Sequence, residues 1–133
     1  MSEIVLRSAA TVFAVQDVMR SVEHYRDVLG FRTTFTYGDP AFYAGMERDN
    51  VLIFLQAVSE TSRQPGHGSV YVFTSDVDAL YAELKSRGAK MQNEPQDYPY
   101  GMRDFDVHDL DGNHLSFGME SKSGSSDSTA ESA

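Results

Sequence analysis

The sequence predicts an α+β protein in which two βαβββ modules pack into one eight-stranded assembly. The main observation is a repeat: an extended apolar run, an Asp, an amphipathic stretch and a Gly occur once from residue 11 and again from residue 69. Asp17 and Asp76 are separated by nearly the same interval as Gly30 and Gly88. A second observation is size, because a half of about 55 residues would not bury a sheet face alone. The two halves should therefore share one core.

The first module begins with a predicted strand at 11–15. Asp17 suits the N-cap of the helix that follows, and Gly30 suits its left-handed C-cap. Three strands are predicted after this helix, at 32–37, 41–47 and 51–57, with a tight turn at 48–50. The helix itself is predicted from apolar residues at the 3.6-residue period, namely Val18, Val22, Tyr25 and Leu29.

The second module repeats this order from the strand that starts at Ser69. Its helix runs from Asp76 to Gly88 and places Val77, Leu80, Tyr81 and Leu84 on one face. A short strand at 90–93 and a Pro-containing loop at 94–101 follow. The strand at 103–109 alternates, with Phe105 and Val107 opposite Asp104, Asp106 and His108. Asp111–Gly112 is a hairpin signal before the last strand at 114–118.

Composition excludes several classes of function. The chain has 133 residues, 41% of them hydrophobic, and 11 basic against 20 acidic residues, for a net charge of −9. This charge repels a phosphate backbone, so we expect no nucleic-acid partner. The absence of cysteine excludes disulfides, thiolate nucleophiles and zinc–sulfur sites. No apolar run reaches the roughly 18 residues of a membrane span and no signal peptide opens the chain, which predicts a cytoplasmic protein without a membrane partner.

The composition changes after Met119. Residues 120–133 contain no large apolar side chain, so they could not bury enough surface to offset their ordering entropy. We therefore predict one domain at 1–119, with modules at about 8–58 and 66–119, and a flexible tail at 120–133.

Both modules carry motifs of a known superfamily. Asp17, Ser21, Val22, Tyr25 and Leu29–Gly30–Phe31 in the first, and Asp76–Val77 and Asp109–Leu110–Asp111–Gly112–Asn113 in the second, resemble the vicinal oxygen chelate superfamily. That superfamily includes glyoxalase I, extradiol dioxygenases and bleomycin resistance proteins. The resemblance spans roughly residues 8–119. It implies the glyoxalase/bleomycin resistance fold, in which paired βαβββ modules form an eight-stranded curved mixed sheet shaped as a cup, commonly completed in a dimer.

The resemblance also implies where a metal would be held. The four ligand positions of the metal-dependent members match Ala10, Ile53, Ser69 and Ser116 here. Ala and Ile carry no donor atom, and a neutral serine hydroxyl is a weak ligand for a divalent ion. We therefore expect no metal and no other cofactor. A rearranged site using His67 and His114 is the alternative, although His67 falls in a Gly-rich loop.

The similarity is greatest to the bleomycin resistance proteins. Their Pro–aromatic–Gly pattern before an Arg and an acidic–Phe pair is matched by residues 99–105. In such proteins a metal-free acidic dimer holds the cationic antibiotic in grooves between subunits, where aromatic rings stack on its planar heterocycles. The chain has no Trp, which those proteins use in the groove. The resemblance implies ligand-binding roles for four aromatic residues: Tyr43, Tyr71, Phe73 and Tyr100.

Other chemistry-bearing residues have weaker signals. Asp104 and Asp106 share a strand face and could act as an acid–base pair, but solvated edge residues are the favoured interpretation. His24 and His108 are interpreted as surface residues. The preferred hypothesis is a homodimeric, non-enzymatic small-molecule binding protein that sequesters a planar, cationic antibiotic of the bleomycin type. The alternatives are a metal-dependent lyase or dioxygenase of the same superfamily, and an interaction module that binds a peptide or metabolite.

Overall fold

The computed structural model describes residues 3–121 and contains two α-helices and nine β-strands in that range. The order of the elements in the first half is β1 (Thr11–Val15), α1 (Val18–Asp27), β2 (Arg32–Gly38), β3 (Ala41–Arg48), β4 (Val51–Ala57) and a 3₁₀ turn (Val58–Glu60). The second half contains β5 (Ser69–Phe73), α2 (Val77–Ser86), β6 (Lys90–Met91), β7 (Gln96–Asp97), β8 (Met102–His108) and β9 (His114–Glu120).

The predicted helix boundaries are confirmed. The Asp17 carboxylate accepts a hydrogen bond from the Arg20 backbone N–H at 3.1 Å, and Asp76 accepts one from the Ala79 N–H at 3.0 Å. Each bond satisfies a backbone donor that the first helical turn leaves free. After each helix the chain turns through a glycine with positive φ, which is the conformation that a side chain disfavours.

The strands form two mixed sheets, one from each half of the chain. The first has the order β1-β4-β3-β2, and the second has the order β5-β9-β8-β6 with β7 also paired to β8. In each sheet the first strand lies parallel to the last strand of its own module, and the other pairs are antiparallel. The architecture is α+β, as predicted.

Two strand predictions in the second module were wrong in detail. The loop predicted at 94–101 contains the two-residue strand β7, which the apolar pattern could not indicate because both of its residues are polar. The strand predicted at 90–93 ends at Met91. Beyond it the Asn93 side-chain amide pairs with Asp106, donating to the carboxylate at 2.7 Å and accepting from the backbone N–H at 2.9 Å.

The core lies between each helix and the sheet of its module. The predicted apolar face of α1 is buried, and in α2 Val77 and Leu84 are buried while Leu80 and Tyr81 pack partly against the core. In the part of the chain that the structure describes, the opposite face of each sheet has no helix on it, and we call it the open face. No helix among residues 3–121 is long and apolar enough to cross a membrane.

The two modules are joined by buried polar contacts. The Tyr25 hydroxyl on α1 donates to the Asp109 carboxylate at 2.8 Å, and both residues are almost fully buried. The Asn113 amide donates to the Ala14 carbonyl and to Asp109, each at 3.1 Å. Its carbonyl oxygen accepts from the N–H groups of Gly66 and Gly68. The Asp109–Asn113 motif therefore fixes the second module against the first.

The predicted tail lies mostly outside the described residues. Strand β9 continues to Glu120, and Ser121 is buried, with its N–H donating to the Gly101 carbonyl at 3.0 Å. Residues 122–133 are not described.

Candidate functional site

Three of the four predicted binding residues come together on the open face of the second sheet. Tyr71 and Phe73 lie two residues apart on β5, so their side chains share that face, and their ring centroids are 5.3 Å apart. Tyr100 reaches the same face from the turn before β8. Their side chains are exposed by 39%, 76% and 64%, which is unusual for residues of this size on a sheet.

Asp104 on β8 links two of these rings. One of its carboxylate oxygens, Oδ2, accepts hydrogen bonds from both the Tyr71 and the Tyr100 hydroxyl, each at 2.8 Å. Asp104 itself is only 4% exposed. Loss of hydration at the hydroxyl and the bond to Asp104 raise the pKa of Tyr100 to about 12 and also raise the pKa of Tyr71. Both tyrosines therefore remain hydrogen-bond donors at physiological pH.

The turn at 98–101 holds Tyr100 in place. The Gly101 N–H donates to the Tyr98 carbonyl at 3.0 Å and closes the turn, with Pro99 at its second position. The Tyr98 ring stacks on the Tyr100 ring at 5.3 Å between centroids and 7° between planes. One face of Tyr100 is thus covered by Tyr98.

A second carboxylate lies two residues further along the same strand face. Asp106 accepts from Ser116 Oγ at 2.5 Å, from Asn93 Nδ2 at 2.7 Å and contacts His114 Nε2 at 2.9 Å. Partial burial raises the pKa of Asp106, but the hydrogen bonds from Ser116, Asn93 and His114 outweigh this effect and leave it below its usual value. His108 lies beside His114, with ring centroids 5.3 Å apart.

The interpretation of Asp104 and Asp106 as solvated edge residues was wrong. Both accept several hydrogen bonds from other side chains, and Asp104 is buried beneath two tyrosines. Their alternation with Phe105 and Val107 placed them on the correct face. The sequence carries no signal for the tyrosine hydroxyls that cover Asp104, because these come from β5 and from a turn.

Tyr43 lies apart from the other three, on the open face of the first sheet. It contacts Phe35 and Phe54, with ring centroids 5.5 and 5.8 Å away, and these two rings meet at 5.3 Å. The three rings form an aromatic cluster across β2, β3 and β4. Within one chain Tyr43 therefore belongs to a second surface.

The residues at the implied metal positions do not fit a metal ion. Ser116 donates to Asp106, and Ser69 is an exposed hydroxyl at the start of β5. Ile53 was wrongly placed, since it is fully buried on the helix side of β4. In the first sheet Val12 pairs with Phe54, and in the second sheet Tyr71 pairs with Ser116. Val12 and Tyr71 are equivalent, because each lies five residues before the Asp that caps its helix. Phe54, rather than Ile53, is therefore the equivalent of Ser116 and lies on the open face.

The histidines do not assemble an alternative metal site. His67 is exposed in the loop before β5, and His114 is bonded to Asp106. Within residues 3–121, no group of three His, Asp or Glu side chains is arranged to hold a metal ion. His24 differs from the surface residue that was predicted, because its Nε2 is buried without a hydrogen-bond partner among residues 3–121 and burial lowers its pKa.

A cleft of about 350 Å³ opens between the modules, away from Asp104. Leu29, Val51, Leu80 and Leu84 line it, and Phe73 is the candidate binding residue that reaches its wall. The cleft lies on the helix side of the sheets, so the four candidate binding residues do not line it together. The open face of the second sheet remains the site with converging aromatic and acidic groups.

Comparison with known proteins agrees with this architecture. The model of the Glyoxalase/Bleomycin resistance protein/Dioxygenase superfamily matches residues 7–117. No curated protein matches the sequence significantly. TioX from Micromonospora sp. ML1 is 25% identical over 86% of this chain and 99% of its own, with a TM-score of 0.75.

Of two further similar structures, one is named as a binding protein and the other as an enzyme. The bleomycin-binding protein from bleomycin-producing Streptomyces verticillus, complexed with copper(II)-bleomycin, is 25% identical over 86% of this chain and 97% of its own, with a TM-score of 0.72. Lactoylglutathione lyase from Agrobacterium tumefaciens is 20% identical over 83% of this chain and 90% of its own, with a TM-score of 0.68, a likeness of fold alone. The match over residues 7–117 and the paired βαβββ modules show that the chain belongs to the Glyoxalase/Bleomycin resistance protein/Dioxygenase superfamily.

Proposed function

We propose that this chain is a metal-free small-molecule binding protein that, as a homodimer, sequesters a planar, cationic antibiotic of the bleomycin type. The observation that carries the proposal is the open face of the second sheet. There Tyr71, Phe73 and Tyr100 expose their rings around the carboxylates of Asp104 and Asp106. The similarity to the bleomycin-binding protein of Streptomyces verticillus supports the same reading.

The exposed rings favour a flat ligand. Large aromatic side chains left in water on a sheet face mark a surface that another molecule covers. Stacking on a planar ligand would be worth roughly 0.5–1.5 kcal/mol per ring beyond simple burial. Tyr98 already covers one face of Tyr100, so that ring would lose little freedom when a ligand covers the other.

The charges favour a cation. Neither Asp104 nor Asp106 pairs with a lysine or arginine among residues 3–121. A cationic ligand would supply the missing positive charge, and the net charge of −9 would draw it towards the protein.

The homodimer is proposed because one chain presents two separate aromatic surfaces. Tyr43, Phe35 and Phe54 lie on the first sheet, while the acidic site lies on the second. Pairing the first sheet of one subunit with the second sheet of its partner would enclose a ligand between them. All four aromatic residues would then contribute to one groove.

Calorimetric titration of the purified protein with metal-free bleomycin and with copper(II)-bleomycin tests the proposal. We expect saturable binding of at least one form, and a thermal shift because a ligand that binds only the folded state stabilises it. Elemental analysis of the purified protein distinguishes a metal-free binding protein from the superfamily's metal-dependent enzymes. Stoichiometric nickel, zinc, iron or manganese, or the absence of heat and thermal shift with both forms, would overturn the proposal.

A further inference from the structure

We infer that Asp104 is the residue that makes this site prefer a positively charged planar ligand over a neutral one of the same shape. It would do so without touching the ligand, by holding Tyr71 and Tyr100 and by charging the surface that their rings form. The inference rests on the proposed function, and it names the residue that determines ligand charge.

The geometry makes Asp104 a positioning residue for two rings from different elements. Tyr71 comes from β5 and Tyr100 from the turn at 98–101, and both hydroxyls donate to the same oxygen, Oδ2, at 2.8 Å. Because Asp104 is 4% exposed, the tyrosines lie between its carboxylate and the ligand space. The negative charge of Asp104 would therefore act on the ligand through the rings of Tyr71 and Tyr100.

No lysine or arginine among residues 3–121 pairs with the Asp104 carboxylate. Arg103, its neighbour on β8, lies on the other side of the strand, where Nη2 contacts Asp78 at 2.8 Å and Nη1 contacts Asp97 at 3.3 Å. The partners of Asp104 among residues 3–121 are the two neutral hydroxyls. Asp106 on the same face adds a second carboxylate whose neighbours are Ser116, Asn93 and His114.

Two physical effects then favour a cation. A partly buried carboxylate is screened less by water and salt than an exposed one, so its attraction extends to a ligand on the ring surface. In addition, a phenol that donates to a carboxylate is polarised towards its ring, and a more negative ring face binds a cation more strongly. Both effects leave stacking of a neutral ligand almost unchanged.

A matched pair of probes separates charge from shape. N-methylacridinium carries a fixed positive charge, and acridine at about pH 8 is a neutral molecule of nearly the same outline. We expect the wild-type protein to bind N-methylacridinium at least about tenfold more tightly than acridine. Asp104→Asn should lower this ratio about fivefold or more, with Asp106 supplying what remains, while the affinity for acridine stays within about twofold.

The control variant is Glu23→Gln, which removes the same charge from an exposed position on α1. It should keep the wild-type ratio, which excludes an effect of net charge. Spectrophotometric titration gives a second readout, since Asp104→Asn should lower the pKa of Tyr100 from about 12. A purely structural role for Asp104 would change both affinities equally.

Two further measurements keep the inference testable if Asp104→Asn does not fold. Tyr100→Phe removes one of the two hydroxyls that donate to Asp104 and should reduce the preference for N-methylacridinium without abolishing it. On the wild-type protein, added salt should weaken N-methylacridinium binding but not acridine binding. A wild-type ratio near one, or an unchanged ratio in folded Asp104→Asn, would overturn the inference.

The outcomes for the inference and for the proposed function are distinguishable. If Asp104→Asn loses the wild-type preference for N-methylacridinium but neither form of bleomycin binds the wild type, the proposed function fails and the role of Asp104 stands. If bleomycin binds the wild type and Asp104→Asn equally well, the role of Asp104 fails and the proposed function stands.

Discussion

Tyr100 occupies the third position of a four-residue turn that Pro99 and Gly101 define, and Tyr98 stacks on one of its faces. Its other face is available to a ligand, because the side chain is 64% exposed. We expect Tyr100→Ala to weaken binding of a bleomycin-type ligand about ten- to fiftyfold, through the loss of stacking and cation–π contact. The fold and the dimer should persist.

Titration calorimetry on two variants checks this prediction. Tyr100→Trp should keep or improve the affinity, because its larger ring offers more stacking surface. An unchanged affinity in a folded, dimeric Tyr100→Ala protein would contradict the binding role. Loss of folding in that variant would instead assign Tyr100 a structural role.

His24 gives the stability of the protein a pH dependence. Burial lowers the pKa of His24 below 6.5, against an opposing effect of Asp109, and no described residue hydrogen-bonds to its Nε2. Below pH 6.5 the unfolded chain therefore binds this proton more readily than the folded protein. The free energy of unfolding should fall as the pH drops below about 6.5 and recover as it rises.

Urea unfolding between about pH 5 and 7 measures this slope. His24→Gln should flatten it, because the variant has no proton to bind at that position. The same substitution at His67, in an exposed loop, should keep the wild-type slope. Equal slopes in the wild type and in His24→Gln would contradict the prediction.

At the scale of elements, Arg48 joins the end of β3 to α2 and to the segment that follows α1. Its guanidinium donates to the Leu29 carbonyl at 3.0 Å and to both carboxylate oxygens of Glu83 at 3.0 and 2.9 Å. The bond from Arg48 and the nearby Arg87 lower the pKa of Glu83 despite its partial burial. This contact ties α2 of the second module to the first.

We expect Arg48→Lys to lower the free energy of unfolding by about 1 kcal/mol, because an ammonium cannot make this forked contact with Glu83 and reach Leu29 as well. Arg26→Lys is the matched control, since Arg26 pairs with Asp27 on the exposed surface of α1. Chemical denaturation should detect a change only in the first variant. Equal stabilities would show that the junction does not depend on Arg48.

Helices and long strands could be predicted from the sequence, because capping Asp residues and apolar periodicity are local signals. Strand β7 could not, since it consists of two polar residues that are held only by pairing with β8. The placement of Ile53 failed for a related reason. Its side depends on the register between β1 and β4, and a shift of one residue moves every side chain to the other face.

The aromatic residues of the candidate site could be selected from the sequence, but the buried carboxylate of Asp104 between them could not. Tyr71, Phe73 and Tyr100 could be chosen by their type and by the resemblance. The burial of Asp104 beneath two hydroxyls depends partly on Tyr71, which lies 33 positions away on another strand. Tyr71 also explains Gly118, where a Cβ would overlap its hydroxyl. Glycine inside a strand is a signal of such close approach.

At the scale of the whole molecule, we expect the chain to form a dimer. The aromatic cluster on the first sheet is only partly covered, and Ile4 and Leu6 near the N-terminus are 95% and 94% exposed. Covering these surfaces would favour association. Sedimentation of the untagged protein at micromolar concentration should show a species near twice 14.8 kDa. A monomer under those conditions would contradict the groove between subunits.

The junction around Asp109 and Asn113 has a consequence for how the chain folds. Its hydrogen bonds connect residues separated by 84 positions, from Tyr25, and by 99 positions, from Ala14. Such contacts stabilise the folded state only after a long loop has closed, so a fold that depends on them forms more slowly than one built from local contacts. Because Asp109 and Asn113 of the second module bond to Tyr25 and Ala14 of the first, neither module satisfies these buried polar groups alone. We therefore expect amide protons in both modules to exchange through one shared opening event rather than two, although the sequence contains two similar modules.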